Sequence, residues 1–332
     1  MAGGQERILR RRIRSIESTK KITRAMELIA ASRIVKAQAR VAAARPYSDQ
    51  ITEVIGHLAQ AGGADVSSPY LEQRDPERKV AYVILTADRG LCGAYNSTVI
   101  RAAERSMRRA EAQSLDRVLV TVGRKAESYF RFRGYPIDAV FTGMSDQPTY
   151  DDAKQVAAAV AEPFEGGEVD RVQLVYTEFV SSSRQRVTET TLMPLDPEQL
   201  AAGADHEGAG AGHDDGLRAA YEFEPEPGGI LARLLPRYVE ARLFAAQLEA
   251  AASEHAARQR AMKAATDNAE DLIVSLTRVM NRARQDAITT EIMEIVGGAE
   301  ALRRGQSLGV PDLLSDTIEG RDADMFRARR SN

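Results

Sequence analysis

Sixty consecutive residues, Arg237 to Val296, contain neither glycine nor proline. As one α-helix they would run about 90 Å at ~1.5 Å per residue. A typical globular helix has only ~11–12 residues, so an ordinary packed domain offers this segment no home. A second such run extends from Gln5 to Arg45, between Gly3-Gly4 and Pro46. Within it Leu9, Ile13, Ile16, Thr19, Ile22, Met26, Ala30, Ile34, Ala37, Val41 and Ala44 advance ten steps in 35 residues. A step of 3.5 residues is the period of a supercoiled seam. Pro46 predicts a kink near Ala42 rather than an end, because Ile51 to Leu58 still reads as helical, and Gly62-Gly63 predict the stop. In the later run Pro236 falls in the first turns after Gly228-Gly229, where a missing N–H is tolerated. Its clearest stripe is Met262, Ala265, Ala269, Leu272, Leu276, Val279 and Ala283, and Gly297-Gly298 predict a break that defines a tip. A lone amphipathic helix cannot bury its stripe, so the two runs are predicted to pair, with alanines letting their axes approach.

Between the runs the pattern changes. Val80 to Thr86, Arg117 to Val122 and Arg171 to Tyr176 are short apolar stretches rich in β-branched residues. Helical stretches near Ser97–Ala112, Arg124–Arg133 and Asp151–Glu162 alternate with them. This βαβ rhythm predicts a mostly parallel sheet covered by helices, with Val187 to Leu195 as an edge strand. The fold class is therefore α/β plus a long α-helical coiled coil, the terminal helices pairing antiparallel around a central Rossmann-like domain. The expected divisions are a coiled-coil helix over 1–62, an α/β domain over 75–195, an acidic Gly/Ala-rich loop over 196–227, a second coiled-coil helix over 228–302 and a mobile tail over 303–332.

Composition excludes several functions. The net charge of −3 from 45 basic and 48 acidic residues is not that of a uniformly basic nucleic-acid binder. It conceals a separation: residues 1–45 carry twelve basic and three acidic residues, whereas 196–227 carry nine acidic residues and only Arg218. Tryptophan is absent and aromatics are 5%, a poor supply for stacking platforms. The single cysteine, Cys92, excludes an internal disulfide framework and fits a reducing compartment. There is no apolar run long enough to span a membrane, and the N-terminal arginines break up any secretory h-region.

The stretch ADRGLCGAYN, Ala87 to Asn96, sits between a strand and a helix, where nucleotide-binding folds cradle phosphate. It is neither GxGxxG nor GxxxxGK[ST], so it reads as a tight strand-to-helix turn. No histidine lies near Cys92 to activate it as a nucleophile. His206 and His213 lie beside carboxylates in a Gly-Ala loop that matches no metal-ligand spacing, and His57 and His255 read as lone helix residues facing solvent or the seam. No catalytic, cofactor or metal residue is expected. The polar groups Arg282, Arg284, Gln285, Thr289 and Glu291 near the predicted tip read either as a solvated face or as catches that other subunits grip. The N-terminal basic run is compatible with nucleic acid, yet without interleaved aromatics it fits an acidic protein partner as well.

Four segments carry a resemblance: TKKITRAMELIAASR (Thr19 to Arg33), the ADRGLCGAYN turn, AMKAATDNAEDLI (Ala261 to Ile273) and NRARQDAITTEIMEIVGGA (Asn281 to Ala299). Together they resemble the γ subunit of bacterial F-type ATP synthase over nearly the whole chain, Gly3 to about Leu302. The resemblance implies a central rotor shaft inside a ring of α and β subunits, standing on the membrane c ring with ε beside it. It implies a non-catalytic subunit, peripheral on the cytoplasmic face of the membrane, that couples proton-driven rotation of the ring to conformational cycling of β. By the same resemblance Met26, Arg284, Gln285 and Thr289 correspond to rotor–stator contacts. Tyr221, Phe223 and Glu224 correspond to contacts with ε and the c ring, and Arg10, Arg11, Arg12, Lys20 and Lys21 to partners of acidic surfaces. Two departures from the family stand out: the long acidic loop before Tyr221, and about thirty residues after the terminal VGGA, a tail expected to be dispensable. The other class compatible with the chain is a coiled-coil scaffold or RNA-binding arm on a Rossmann-like domain.

Overall fold

The computed structural model describes residues 2–62, 68–196 and 227–307. In chain order they form α1 (Ala2–Gly62), β1 (Lys79–Leu85), α2 (Tyr95–Ala112), β2 (Asp116–Val122) and α3 (Arg124–Phe132), then β3 (Ala139–Phe141), α4 (Tyr150–Glu165), β4 (Arg171–Phe179), β5 (Gln185–Met193) and α5 (Pro227–Ser307). Two compact units result, one drawn from Met1–Lys20 with Asn268 onward, the other from Lys21–Asp267.

The second unit holds the sheet, in the order β3-β2-β1-β4-β5. β1, β2, β3 and β4 run parallel, while β5 folds back antiparallel to β4 through a tight turn closed by Ser181 and Arg184. β5 is the edge strand, shifted two residues N-terminal to the expected span. β3 has no counterpart among the predicted strands. Along β1 the pleat sends alternate residues to opposite faces, and both faces are buried. Val80, Tyr82 and Ile84 meet Val99, Met107 and Phe130 of α2 and α3. Ala81, Val83 and Leu85 join a larger core with Val156, Val160 and Phe164 of α4, Ile55 and Leu58 of α1, and Leu231 and Leu235 of α5. The far end of α1 and the near end of α5 are thus built into the domain's own core. α4 starts with a capping box in which Thr149 and Asp152 each accept the other's backbone N–H. Thr149→Ala should therefore cost about 1 kcal/mol in thermal unfolding of the chain.

The pairing of α1 with α5 is antiparallel. Thr23 lies 2.8 Å from Thr266, hydroxyl to hydroxyl. Further along, Arg33 and Ala37 share a groove with Ala251 and His255, and Ala44 and Ser48 share one with Ala241 and Phe244. The shielded face of α1 follows an unbroken alternation of three and four: Leu9, Ile13, Ile16, Lys20, Thr23, Glu27, Ala30, Ile34, Ala37, Val41, Ala44, Ser48, Ile51, Ile55, Leu58. This corrects the sequence reading in its middle. Thr19 is exposed and Ile22 is 57% exposed, whereas Thr23 is 9% exposed. Holding the 3–4 rhythm after Ile16 selects Lys20, Thr23 and Glu27 even though apolar side chains sit next to them. These three polar members each have a partner that makes their burial tolerable: Glu270 for Lys20, Thr266 for Thr23, Arg24 for Glu27. On α5 the same shift replaces Leu272 and Val279, both exposed, by the half-buried Ile273 and Met280.

α1 continues through Pro46 to Gly62, as expected. Two boundary readings change. α5 begins at Pro227, so Gly228-Gly229 fall in its first turn and Pro236 is interior. At the other end α5 does not break at Gly297-Gly298 but continues to Ser307, five residues into the span read as a tail. A glycine pair weakens a helix without forbidding it, since each costs only ~1 kcal/mol relative to alanine.

Candidate functional site

Past Ala287 every described side chain of α5, through Arg304, is exposed. Arg284, Gln285 and Thr289 stand on this stretch, all exposed. Gln285 and Thr289 are one turn apart on one face, and the Thr289 hydroxyl donates to the Gln285 carbonyl at 3.0 Å. The next positions on that face are Ile292 and Val296, both exposed, with Ile288, Met293, Ile295 and Leu302 exposed around them. A monomeric surface seldom shows so continuous an apolar stretch, and one edged with polar groups marks a contact surface.

The other sequence-derived residues separate into groups. Arg10, Arg11, Arg12 and Lys21 are exposed on α1, Arg10 paired with Glu6 at 2.5 Å. Lys20 is instead a half-buried seam residue that reaches Glu270 at 3.2 Å. Met26 is half-buried at the margin of the seam, between Thr23 and Glu27. Tyr221, Phe223 and Glu224 lie outside the described residues, as do His206 and His213.

The ADRGLCGAYN segment forms the tight turn between β1 and α2. Asp88 accepts backbone N–H groups from Arg124, Gly143 and Ser145 at 2.9–3.2 Å, which hold its carboxyl below the usual range. Cys92 is buried, and burial pushes its thiol pKa up, the wrong direction for a nucleophile. In doubly wound folds a ligand sits outside the carboxyl ends of the strands, where the strand order reverses. Here α5 occupies that place. Tyr95 donates to the Ala250 carbonyl at 3.1 Å, Arg258 to the Gly90 carbonyl at 3.4 Å, and His255 Nε2 lies 3.3 Å from the Asp146 carbonyl. Beside Thr86, Gln247 and Glu254 a cavity of about 10 Å³ remains, room for one water, while a groove of about 490 Å³ lies between the Cys92–Tyr95 turn, Thr177, Gln185 and Ser253.

Sequence reasoning missed this contact. Of the two readings of His255, solvent or seam, the structure excludes solvent: it is 2% exposed, beside the groove that Arg33 and Ala37 share with α5 and against the Asp146 carbonyl. The available signal was Ser253-Glu254-His255, three polar residues set in an alanine-rich stretch. Asp146, Glu254 and His255 bring oxygen and nitrogen atoms within 4.8 Å of one another. That set does not fit a cation, because Arg33 grips both oxygens of Asp146 and Arg258 sits 2.6 Å from Glu254.

Two long helices sharing a heptad seam, an α/β domain whose ligand edge is plugged by one of them, and a helix end with uncovered apolar and polar side chains together define a class. It is a shaft-bearing subunit that acts by touching other proteins. The family model described as ATP synthase matches residues 5–302. The ATP synthase gamma chain of Parafrankia sp. is 51% identical over 91% of this chain and 99% of its own length. That of Streptomyces avermitilis is 46% identical over 90% of this chain and 97% of its own. The chain belongs to the ATP synthase γ-chain family. Among solved structures, a chain of the Euglena gracilis mitochondrial ATP synthase OSCP/F1/c-ring assembly matches with a TM-score of 0.61 at 18% identity, covering 93% of this chain and 98% of that one. A chain of the Tetrahymena thermophila central stalk/c-ring assembly matches at 0.55 and 23% identity, covering 74% and 99%. These likenesses carry the fold. The scaffold or RNA-arm alternative gains no support.

Proposed function

We propose that this chain is the central-stalk rotor subunit of a proton-translocating F-type ATP synthase, coupling rotation of the membrane c ring to the conformational cycle of the catalytic β subunits. Family membership supports this reading, and the single structural observation that carries it is the uncovered end of α5. A shaft that turns inside a sleeve must present side chains that no part of its own chain covers. In physical terms rotor angle changes the relative energies of the β conformations, a coupling free energy between distant sites. The subunit supplies no catalytic residue; it supplies contacts made and released.

Within this reading Arg284, Gln285 and Thr289 are catches toward the catalytic ring, and Met26 lies near a second contact with it. Tyr221, Phe223 and Glu224 face ε and the c-ring loops. Arg10, Arg11, Arg12 and Lys21 meet acidic surfaces, while Lys20 stiffens the seam through Glu270. The segment after residue 303 is dispensable. No described helix is long and apolar enough to cross a membrane. Attachment at the cytoplasmic face is accordingly peripheral, through the c ring.

The test is a triple alanine variant at Arg284, Gln285 and Thr289, assembled with its partner subunits in inverted vesicles. Contacts worth about 1 kcal/mol each sum to ~3 kcal/mol. At a tenfold change per 1.4 kcal/mol, ATP-driven proton pumping should fall roughly a hundredfold while the complex still co-purifies with α and β in excess over γ. An assembled complex that pumps at the wild-type rate would remove these residues from the coupling path.

A further inference from the structure

From Ala250 to Ala256 α5 is buried on every side. Ser253, Glu254 and His255, at most 2% exposed, put polar chemistry inside this stretch. The charges around Glu254 come from every element packed there. α5 contributes Arg258, one turn on; α1 contributes Arg33; the β1–α2 turn contributes Asp88; and the β3–α4 loop contributes Asp146. Cys92 and Tyr95 also face Glu254, and burial holds both in their neutral forms. His255 is held toward its neutral form by burial as well.

These groups do not balance. Three carboxylates share two guanidiniums, leaving one surplus negative charge; Asp88, Asp146 and Arg33 keep part of their surface in solvent, whereas Glu254 is 2% exposed. Asp88 is satisfied by three backbone amides and Asp146 by both arms of the Arg33 contact. Glu254 is served worst. Among the described residues its one ion-pair partner, Arg258, also donates to the Gly90 carbonyl, and its Oε2 has no hydrogen-bond partner. An unpaired charge on such an oxygen is costly, and a proton removes it without requiring space.

We propose that Glu254 is a proton-binding site that sets how firmly α5 docks on the carboxyl-end rim of the sheet, the docking weakening as this proton leaves. Burial is the largest cause of the raised Glu254 pKa, which stands at about 7 against an ordinary 4.5. The docked form therefore holds the proton up to neutrality, while an undocked, hydrated Glu254 has released it near 4.5. Between those values the docked form binds more protons, so docking loses strength as pH climbs through the window and levels off above it. From about pH 6 to about pH 8 this predicts a roughly tenfold fall in the docking equilibrium. The inference does not depend on the rotor reading, since it concerns one helix and its own domain.

The experiment is hydrogen–deuterium exchange on the full-length chain at those two pH values, corrected for the chemical exchange rate. Wild type should show the β1–α2 turn and residues 144–148 exchanging about tenfold faster at the higher pH. Glu254→Gln, neutral and nearly isosteric, should abolish that dependence and stay protected at both. Should Glu254→Gln fail to fold, infrared spectra of wild type labelled at glutamate decide the matter. A protonated-carboxyl carbonyl band present at the lower pH and lost at the higher supports the site, and its absence at both overturns it. pH-independent protection in wild type, an undiminished pH dependence in Glu254→Gln, or a dependence removed by magnesium or EDTA would each overturn it too.

Discussion

Replacing Gly123 by alanine should destabilise the α/β domain by about 3 kcal/mol or more, read from denaturant unfolding of the full chain. Gly123 joins β2 to α3 at φ +95°, a conformation L side chains rarely adopt, and an added Cβ would lie 2.2 Å from the Thr86 carbonyl oxygen. Thr86 cannot retreat. Its N–H donates to the Val122 carbonyl at 2.8 Å, and its hydroxyl both donates to that carbonyl and accepts the Ala126 N–H. The substitution must spread β1 from β2 at the start of α3. Gly134 is the control: φ is +76° but nothing lies within 4 Å of its added Cβ, so Gly134→Ala should cost only the conformational strain, about 1 kcal/mol. Equal losses at the two positions would show that the close approach to Thr86 does not matter.

The second large effect is expected at Phe130. Its ring is fully buried and meets Tyr129 and Tyr135 edge-on, each with centroids 5.4 Å away. Phe130→Ala should cost about 3–5 kcal/mol, from lost transfer energy and a cavity that the rigid sheet behind it cannot close. Two residues on, Phe132 is 88% exposed, and Phe132→Ala should stay within about 0.5 kcal/mol. A large loss at Phe132, or a small one at Phe130, would mean that α3 packs through a different face.

These residues also show where sequence carries the fold and where it does not. Strands β1, β2 and β4 were legible because a strand buried on both faces must be a nearly continuous apolar run, and Val80 to Leu85 is one. β3 was not, since three residues, Ala139 to Phe141, are too few to set a period. The two long helices were legible from missing glycine and proline and from their 3.5-residue step. The phase of that step was misread around Ile22 and Leu272, where adjacent positions are both apolar or the seam itself is polar. There the partner helix decides the phase: Thr266 across from Thr23 and Glu270 across from Lys20 supply what local pattern cannot. The assignment of Arg284, Gln285 and Thr289 as contact residues rests on resemblance alone and stays a proposal. Periodicity alone describes them as a solvated helix face, and their exposure fits either reading until a partner is considered. The Glu254 cluster was illegible for a different reason: Arg33, Asp88, Asp146 and Glu254 come from four separate elements, and only the folded chain gathers them.

The unbroken passage of α5 through Gly297-Gly298 has a consequence for how its end binds. The stretch from Ile288 to Arg304 has no side chain covered by its own chain. Extending a helix beyond its packed part gains little per residue in water, because most helical stability comes from tertiary packing, and two glycines remove about 2 kcal/mol. In the free subunit its turns should open and close on the microsecond scale of helix–coil exchange. On the proposed reading, gripping this end is partly an act of folding it. The ordering entropy subtracts from whatever the contacts yield, which keeps the hold weak for its area. A bearing surface that must release at every step gains from that subtraction, because its grip stays shallow even where its apolar side chains are many.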